Sequence, residues 1–145
     1  MSAIYTLWGI AYVSTAVTTM TRDDLEFLLV EGRRLNRENE ITGVLLHSSG
    51  NFMQYFEGPK TAAYATFERI KVSRRHHGII ELLDQAVPVR SFTGWDMGLA
   101  EVTDSQLLKM STANWTRALD DAQGTASGSE GLGLLRMFWK SNKPT

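Results

Sequence analysis

Alternating hydrophobic and polar positions predict five β-strands within the first hundred residues. The alternation is clearest over residues 52–57, where Phe52, Gln54 and Phe56 fall on one face and their neighbours on the other. Turn residues separate this strand from the preceding one and predict a hairpin between them. The other predicted strands cover residues 4–14, 41–47, 79–87 and a segment around 95–99. In the last of these, alternation is expected to place three apolar side chains on one face: Trp95, Met97 and Leu99.

Apolar residues at helical spacing predict two helices between these strands. The first begins after Thr21, which can cap it, and the second follows Pro59. The inward stripe of the first helix comprises Leu25, Leu28, Leu29, Gly32 and Asn36, and that of the second comprises Ala63, Phe67 and Ile70, with Arg69 beside it. The order βαββαββ predicts an α+β fold with a ferredoxin-like sheet and both helices on one of its faces.

The remainder of the chain is expected to cover the opposite face of the sheet. Residues 105–118 have a helical pattern, and residues 132–139 form a last amphipathic helix after a Gly/Ser-rich linker near residues 123–131. The predicted organisation is therefore a domain over residues 1–100 followed by a C-terminal helical segment over residues 101–145.

Composition narrows the class of protein. The chain has 145 residues, 43% of them hydrophobic and 21% charged, which is typical of one soluble globular domain with a small appendage. A net charge of -1 gives no reason to expect nucleic acid or an acidic membrane as a partner. The absence of cysteine excludes disulfides and thiolate chemistry, and three histidines argue against a zinc site. Without a long apolar run or a signal pattern, a cytoplasmic location is expected.

A few polar residues stand on faces that are otherwise apolar. Gln54 lies between two phenylalanines, and a buried amide without partners is costly, so a main-chain group or a bound ligand must face it. Asn36 continues an inward helical stripe, Gly32 permits close approach, and Tyr12 ends a strand. These residues suit a flat ligand with a polar edge, and a plain structural role for each stays open as the alternative. No nucleophile–base pair, carboxylate dyad or phosphate loop indicates an enzyme.

Several motifs in order together resemble the BLUF domain, a family of blue-light sensors that use FAD. The resemblance spans about residues 4–100. It rests on Tyr12-Val13-Ser14, on Asn36 with Ile41-Thr42-Gly43, on Phe52-Met53-Gln54-Tyr55-Phe56-Glu57-Gly58, on Arg75-His76 and on Trp95-Asp96-Met97.

The resemblance implies FAD as cofactor, bound between the two helices, and FMN or riboflavin would fit the same pocket. The implied cofactor-binding residues are Tyr12, Ser14, Leu28, Gly32, Asn36, Gln54, Arg69, Ile70, Arg75 and His76. The implied photoactive residues are Tyr12, Gln54, Trp95 and Met97. The flavin carries the photochemistry, and the protein supplies orientation and electrostatics.

The family's mechanism transfers to two residues here. Tyr12 matches the tyrosine that passes an electron and then a proton towards the excited flavin. Gln54 matches the glutamine whose rotation or tautomerisation exchanges hydrogen bonds and leaves a slightly red-shifted flavin. Trp95 and Met97 match the pair that relays this change to the fifth strand.

The sequence departs from the family pattern at four positions. Val13 stands where many members have arginine, Gly32 where a small hydroxyl residue is common, Leu35 where a polar residue is frequent, and Ser73 where an aspartate is common. These departures bear on flavin affinity and recovery rate but leave Tyr12 and Gln54 in place.

The expected function is that of a blue-light photoreceptor rather than an enzyme. With only a short tail after residue 100, its output is expected to be altered contacts, through a homo-oligomer and a downstream protein partner of unknown identity. Two alternatives stay open: a partner-binding module that no longer holds FAD, and a small ferredoxin-like hydrolase.

Overall fold

The computed structural model describes residues 7–17, 21–115 and 130–141. The strands are β1 (Leu7–Ala16), β2 (Thr42–Ser48), β3 (Asn51–Pro59), β4 (His76–Val87) and β5 (Gly98–Glu101). The helices are α1 (Arg22–Glu38), α2 (Lys60–Lys71), α3 (Asp104–Ser111) and α4 (Glu130–Ser141). Residues 116–118 of the predicted third helix and residues 123–129 of the predicted linker lie outside the described residues.

The element order confirms the predicted ferredoxin-like βαββαββ arrangement. The strands lie side by side in the order β4-β1-β3-β2-β5, and β5 runs parallel to β2 while all other neighbours are antiparallel. The two central strands, β1 and β3, place Tyr12 directly opposite Gln54.

The two faces of the sheet are covered by different helices, as predicted. On one face, Phe56 packs with residues of α2 and Phe52 packs with residues of α1. On the other face, Met53 and Tyr55 belong to a single cluster that includes residues of α3 and α4. The strict alternation along β3 therefore decides which helices each side chain meets.

Local capping explains where α1 begins. The hydroxyl of Thr21 accepts a hydrogen bond from Asp24 N, and the Asp24 carboxylate accepts one from Thr21 N, which forms a reciprocal capping box. The predicted cap at Thr21 is thereby confirmed. None of the helices in the described part of the chain is long and apolar enough to cross a lipid bilayer.

The prediction for the fifth strand is wrong in its bounds and in the placement of Trp95. The strand begins at Gly98, so Trp95 and Met97 lie in the loop that precedes it. Met97 packs beneath α1, whereas the Trp95 ring lies on the other side of the sheet, 5.1 Å from the Trp139 ring of α4. Two-residue alternation holds only for extended backbone, and this loop is irregular, so the residues separate onto opposite faces.

Candidate functional site

A cavity of about 370 Å³ opens between α1 and α2 above the central strands. Every residue predicted from the sequence to bind a cofactor lines it: Tyr12, Ser14, Leu28, Gly32, Asn36, Gln54, Arg69, Ile70, Arg75 and His76. Met97 also lines the cavity, whereas Trp95 is not among the lining residues. The structure thus brings all the predicted residues except Trp95 to one place, and their contact with a cofactor stays a prediction.

The floor of the cavity carries a chain of three hydrogen-bonding side chains. The Tyr12 hydroxyl donates to Gln54 Oε1, and Gln54 Nε2 donates to the thioether sulfur of Met97 at 3.5 Å. Tyr12 and Gln54 are 4% and 8% exposed. Burial raises the pKa of the Tyr12 hydroxyl well above its ordinary value, which keeps the hydroxyl protonated and able to donate. In this structure the amide of Gln54 is oriented with its oxygen towards Tyr12 and its nitrogen towards Met97.

Asn36 joins α1 to the loop that carries Met97. It is 2% exposed, and its Nδ2 donates to Asp96 O at 2.6 Å. One turn earlier, Arg33 Nε donates to Met97 O at 2.9 Å. The inward position of Asn36 was predicted from helical spacing, but the contacts of Arg33 and Asp96 were missed. In the sequence, a charged residue that binds another part of the protein looks the same as one that faces solvent.

Ser14 and His76 tie β1 to β4 and α2 at the edge of the cavity. His76 Nε2 lies 3.0 Å from Ile70 O, and His76 Nδ1 lies 2.8 Å from Ser14 Oγ. A carbonyl oxygen can only accept, so Nε2 carries the hydrogen, and in the neutral ring Nδ1 accepts from the Ser14 hydroxyl. This arrangement leaves the lone pairs of Ser14 Oγ available to accept from a ligand.

Two arginines, which outnumber the one lining carboxylate of Glu31, give the rim of the cavity a net positive charge. Arg69 and Arg75 line it, and neither guanidinium forms an ion pair with a carboxylate in the described part of the chain. The Arg75 guanidinium lies over the exposed ring of Phe27, 5.3 Å from its centroid. Guanidinium groups recognise phosphate well, so this rim suits a ligand with an anionic end.

The shape and chemistry of the cavity fit a flavin nucleotide. Its walls are largely aliphatic, its floor presents the amides of Gln54 and Asn36, and its rim is cationic. A Cβ atom built at Gly32 would meet no atom of the described residues within 4 Å beyond its own helix, so this turn of α1 borders open space rather than packed protein. Within the described residues no group of histidine, cysteine and carboxylate side chains is placed to hold a metal ion.

Two positions at which the sequence departs from the family pattern, Leu35 and Ser73, also line the cavity. Several further lining residues were missed by the sequence analysis: Leu29, Glu31, Leu45, Phe52 and Thr66. Leu29 and Phe52 were recognised as inward-facing, but periodicity alone does not separate a residue that lines a cavity from one that packs in a core.

Comparison with known proteins gives consistent matches. The model of the BLUF family, described as sensors of blue-light using FAD, matches residues 7–98. Photoactivated adenylate cyclase subunit beta from Euglena gracilis is 41% identical over 71 residues, which is 49% of this chain and 8% of that protein. The blue light- and temperature-regulated antirepressor BluF of Escherichia coli (strain K12) is 33% identical over 76 residues, 49% of this chain and 19% of that protein. The chain thus spans only a small part of these curated relatives.

Solved structures match over more of the chain. The dark-state structure of BlrB, a BLUF protein, superposes with a TM-score of 0.69 at 25% identity and covers 93% of this chain and 96% of that one. The ground state of BlsA superposes with a TM-score of 0.66 at 26% identity, covering 72% of this chain and 70% of that one.

Proposed function

The chain belongs to the BLUF family of blue-light sensors that use FAD, and from this premise we propose that Tyr12 and Gln54 form its light-responsive switch. The observation that carries the proposal is the hydrogen bond from the Tyr12 hydroxyl to Gln54 Oε1 on the cavity floor. The bond is buried, it joins neighbouring positions of β1 and β3, and it lies on the floor of the cavity that we propose as the flavin site.

Bound FAD would supply the absorption of blue light and the excited electron acceptor. Tyr12 would give up an electron and then its hydroxyl proton towards that acceptor. Without its hydrogen the Tyr12 oxygen can only accept, so the amide of Gln54 would turn to present its nitrogen to Tyr12 and its oxygen to the other side. Return of the electron and the proton would leave Tyr12 chemically unchanged beside a rotated glutamine.

Rotation of Gln54 changes which amide atom faces the sulfur of Met97. In the present arrangement Gln54 Nε2 donates to the sulfur of Met97 at 3.5 Å. After rotation an amide oxygen would face a sulfur that has no hydrogen to donate, and the two acceptors repel each other. Met97 is therefore expected to leave this position, which links the state of the glutamine to the loop before β5.

The loop before β5 reaches the C-terminal helices through Trp95. Its ring packs against the Trp139 ring of α4. A shift of Met97 would therefore move Trp95, two residues earlier in the chain, and change its contact with α4. We propose that the output is a change in contacts of β5 and α4 with a second copy of the chain or with another protein. In this account the protein is a sensor and not itself an enzyme.

The test is the visible absorption of the purified protein before and after blue light. Wild-type protein reconstituted with FAD is expected to show a small red shift that reverses in the dark. Tyr12→Phe is expected to keep the flavin and lose the shift. The matched control is Tyr64→Phe, because Tyr64 is 39% exposed and outside the cavity, and it should behave as wild type.

A normal reversible shift in Tyr12→Phe would contradict the proposed switch. Protein that stays colourless after addition of FAD would instead indicate a partner-binding module without photochemistry.

A further inference from the structure

Three successive main-chain carbonyls of the loop before β5 accept hydrogen bonds from two elements, β2 and α1. The first, Trp95 O, accepts from the main chain of β2 at 2.9 Å. The second, Asp96 O, accepts from Asn36 at 2.6 Å, and the third, Met97 O, accepts from Arg33 Nε at 2.9 Å. The first of these bonds is to the main chain of β2, and the other two are to side chains of α1. Met97, which directly precedes the start of β5 at Gly98, is thus held at its carbonyl by a side chain of α1.

We propose that Arg33 is a positioning residue of the light switch: by binding Met97 O, it holds the Met97 sulfur against Gln54 Nε2. One residue, Met97, receives both contacts, Arg33 at its carbonyl and Gln54 at its side chain. This inference rests on the proposed function, since it assigns to Arg33 the resting arrangement of that switch.

The chemistry of Arg33 suits this task. A hydrogen bond from a charged donor is stronger than one between neutral groups, and the rigid fork of a guanidinium loses little freedom when it binds. Arg33 is partly buried, and its partner is a main-chain oxygen rather than a mobile carboxylate. Its neighbour Arg34 differs in each respect, because Arg34 is 54% exposed and pairs with Glu38 on the helix surface.

A further contact joins α1 to the same loop. Arg37, one turn after Arg33 on the same face of α1, lies 3.3 Å from the carboxylate of Asp96. Three side chains of α1, which together we call the clamp, thus bind two consecutive loop residues. Asn36 and Arg33 bind main-chain oxygens, and Arg37 pairs with the carboxylate of Asp96. If rotation of Gln54 requires Met97 to leave, this clamp opposes the rotation and stabilises the resting state relative to the light-induced state.

Arg33→Met tests the role, because methionine keeps much of the aliphatic stem and removes the donor. The resting state loses a charge-assisted hydrogen bond, so dark recovery of the red-shifted spectrum is expected to slow on the order of tenfold. Arg33→Lys keeps the charge but not the fork and should recover at an intermediate rate. Arg34→Met is the matched control and should recover at the wild-type rate.

A double-mutant cycle shows whether Arg33 acts through Met97. In a Met97→Leu background the sulfur contact is already absent, so Arg33→Met should slow recovery no further. Equal slowing in both backgrounds would overturn the positioning role, and so would Arg33→Met recovering at the same rate as Arg34→Met. If Arg33→Met fails to retain flavin, the cycle is run with Arg33→Lys, and the same two results decide.

Failure of this inference is distinguishable from failure of the proposed switch. Wild-type protein that binds FAD without a reversible shift contradicts the switch itself. A normal wild-type shift with no effect of Arg33 leaves the switch intact and removes only the clamp.

Discussion

Two buried polar side chains of β3, Glu57 and Gln54, point to opposite faces of the sheet and differ in their hydrogen bonding. On the face covered by α3 and α4, Glu57 is fully buried and its carboxylate accepts from Tyr55 Oη at 2.8 Å, Ser91 N at 2.7 Å and Phe92 N at 2.8 Å. On the face covered by α1 and α2, Gln54 Nε2 donates to the Met97 thioether at 3.5 Å, its one hydrogen-bond partner among the described residues, and the amide borders a cavity.

Hydrophobic packing is also more continuous on the face covered by α3 and α4 than on the face with the cavity. Among residues 7–17, 21–115 and 130–141, one continuous cluster joins the sheet to α3 and α4, whereas the other face holds two separate clusters, one beneath α1 and one beneath α2. The cavity lies between these two. A buried polar group that is fully satisfied by protein holds the fold together, and one that faces a gap between clusters is available to a ligand.

Removing Glu57 should have the largest effect on stability. Glu57→Ala leaves the Tyr55 hydroxyl and two main-chain N–H groups buried without an acceptor, and is expected to lower the free energy of unfolding by at least about 3 kcal/mol. Glu57→Gln retains one carbonyl oxygen and should cost less. Denaturant unfolding measures both. Glu68→Ala, on the surface of α2, is the control and should change stability little, since the side chain of Glu68 is 70% exposed.

If Glu57→Ala and Glu68→Ala unfolded at the same denaturant concentration, the packed face would not depend on its buried carboxylate. The contrast between the two faces would then rest on hydrophobic packing alone.

A methyl group at Gly98 should have the next largest effect, because it tests how tightly α4 is packed. A Cβ at Gly98 would overlap the Trp139 ring of α4. The ring must shift, and overpacking of this kind costs about 2 kcal/mol, so Gly98→Ala should lower the free energy of unfolding by that amount and change tryptophan fluorescence. Gly133→Ala, where a Cβ on α4 meets no atom within 4 Å, should not destabilise the protein. Unchanged stability of Gly98→Ala would show that α4 docks loosely.

The parts of the fold that were predicted are those set by local periodicity. The inward positions of Gln54 and Asn36 follow from a period of two residues in β3 and of 3.6 residues in α1. Both signals lie within a few residues along the chain. The pairing of Tyr12 with Gln54 came instead from resemblance to a family, because two strands separated by about forty residues carry no local signal of their register.

The parts that were missed depend on loops meeting distant elements. Glu57 was assigned to the correct face, but its partners are main-chain groups of a loop far along the chain. Trp95 was placed on the same face as Met97 because its loop was taken for a strand. Arg33 was passed over because nothing in its own helix indicates a carbonyl acceptor at Met97. Such contacts are properties of the assembled structure, and one sequence does not contain them as a pattern.

The smallest predicted effect concerns Gly32, on the side of the sheet that carries the cavity. An added methyl group should stabilise the protein here, whereas it should destabilise the protein at Gly98 on the packed face. A Cβ at Gly32 meets no atom within 4 Å, and alanine is favoured over glycine in a helix interior by about 1 kcal/mol, so Gly32→Ala should stabilise the flavin-free protein by roughly that amount. Gly32→Leu has a similar helix propensity but a side chain long enough to enter the cavity. It should therefore keep this stability and lower the flavin content measured by absorbance. Loss of stability in Gly32→Ala would mean that this turn of α1 is packed, and full flavin content in Gly32→Leu would mean that the ligand lies elsewhere in the cavity.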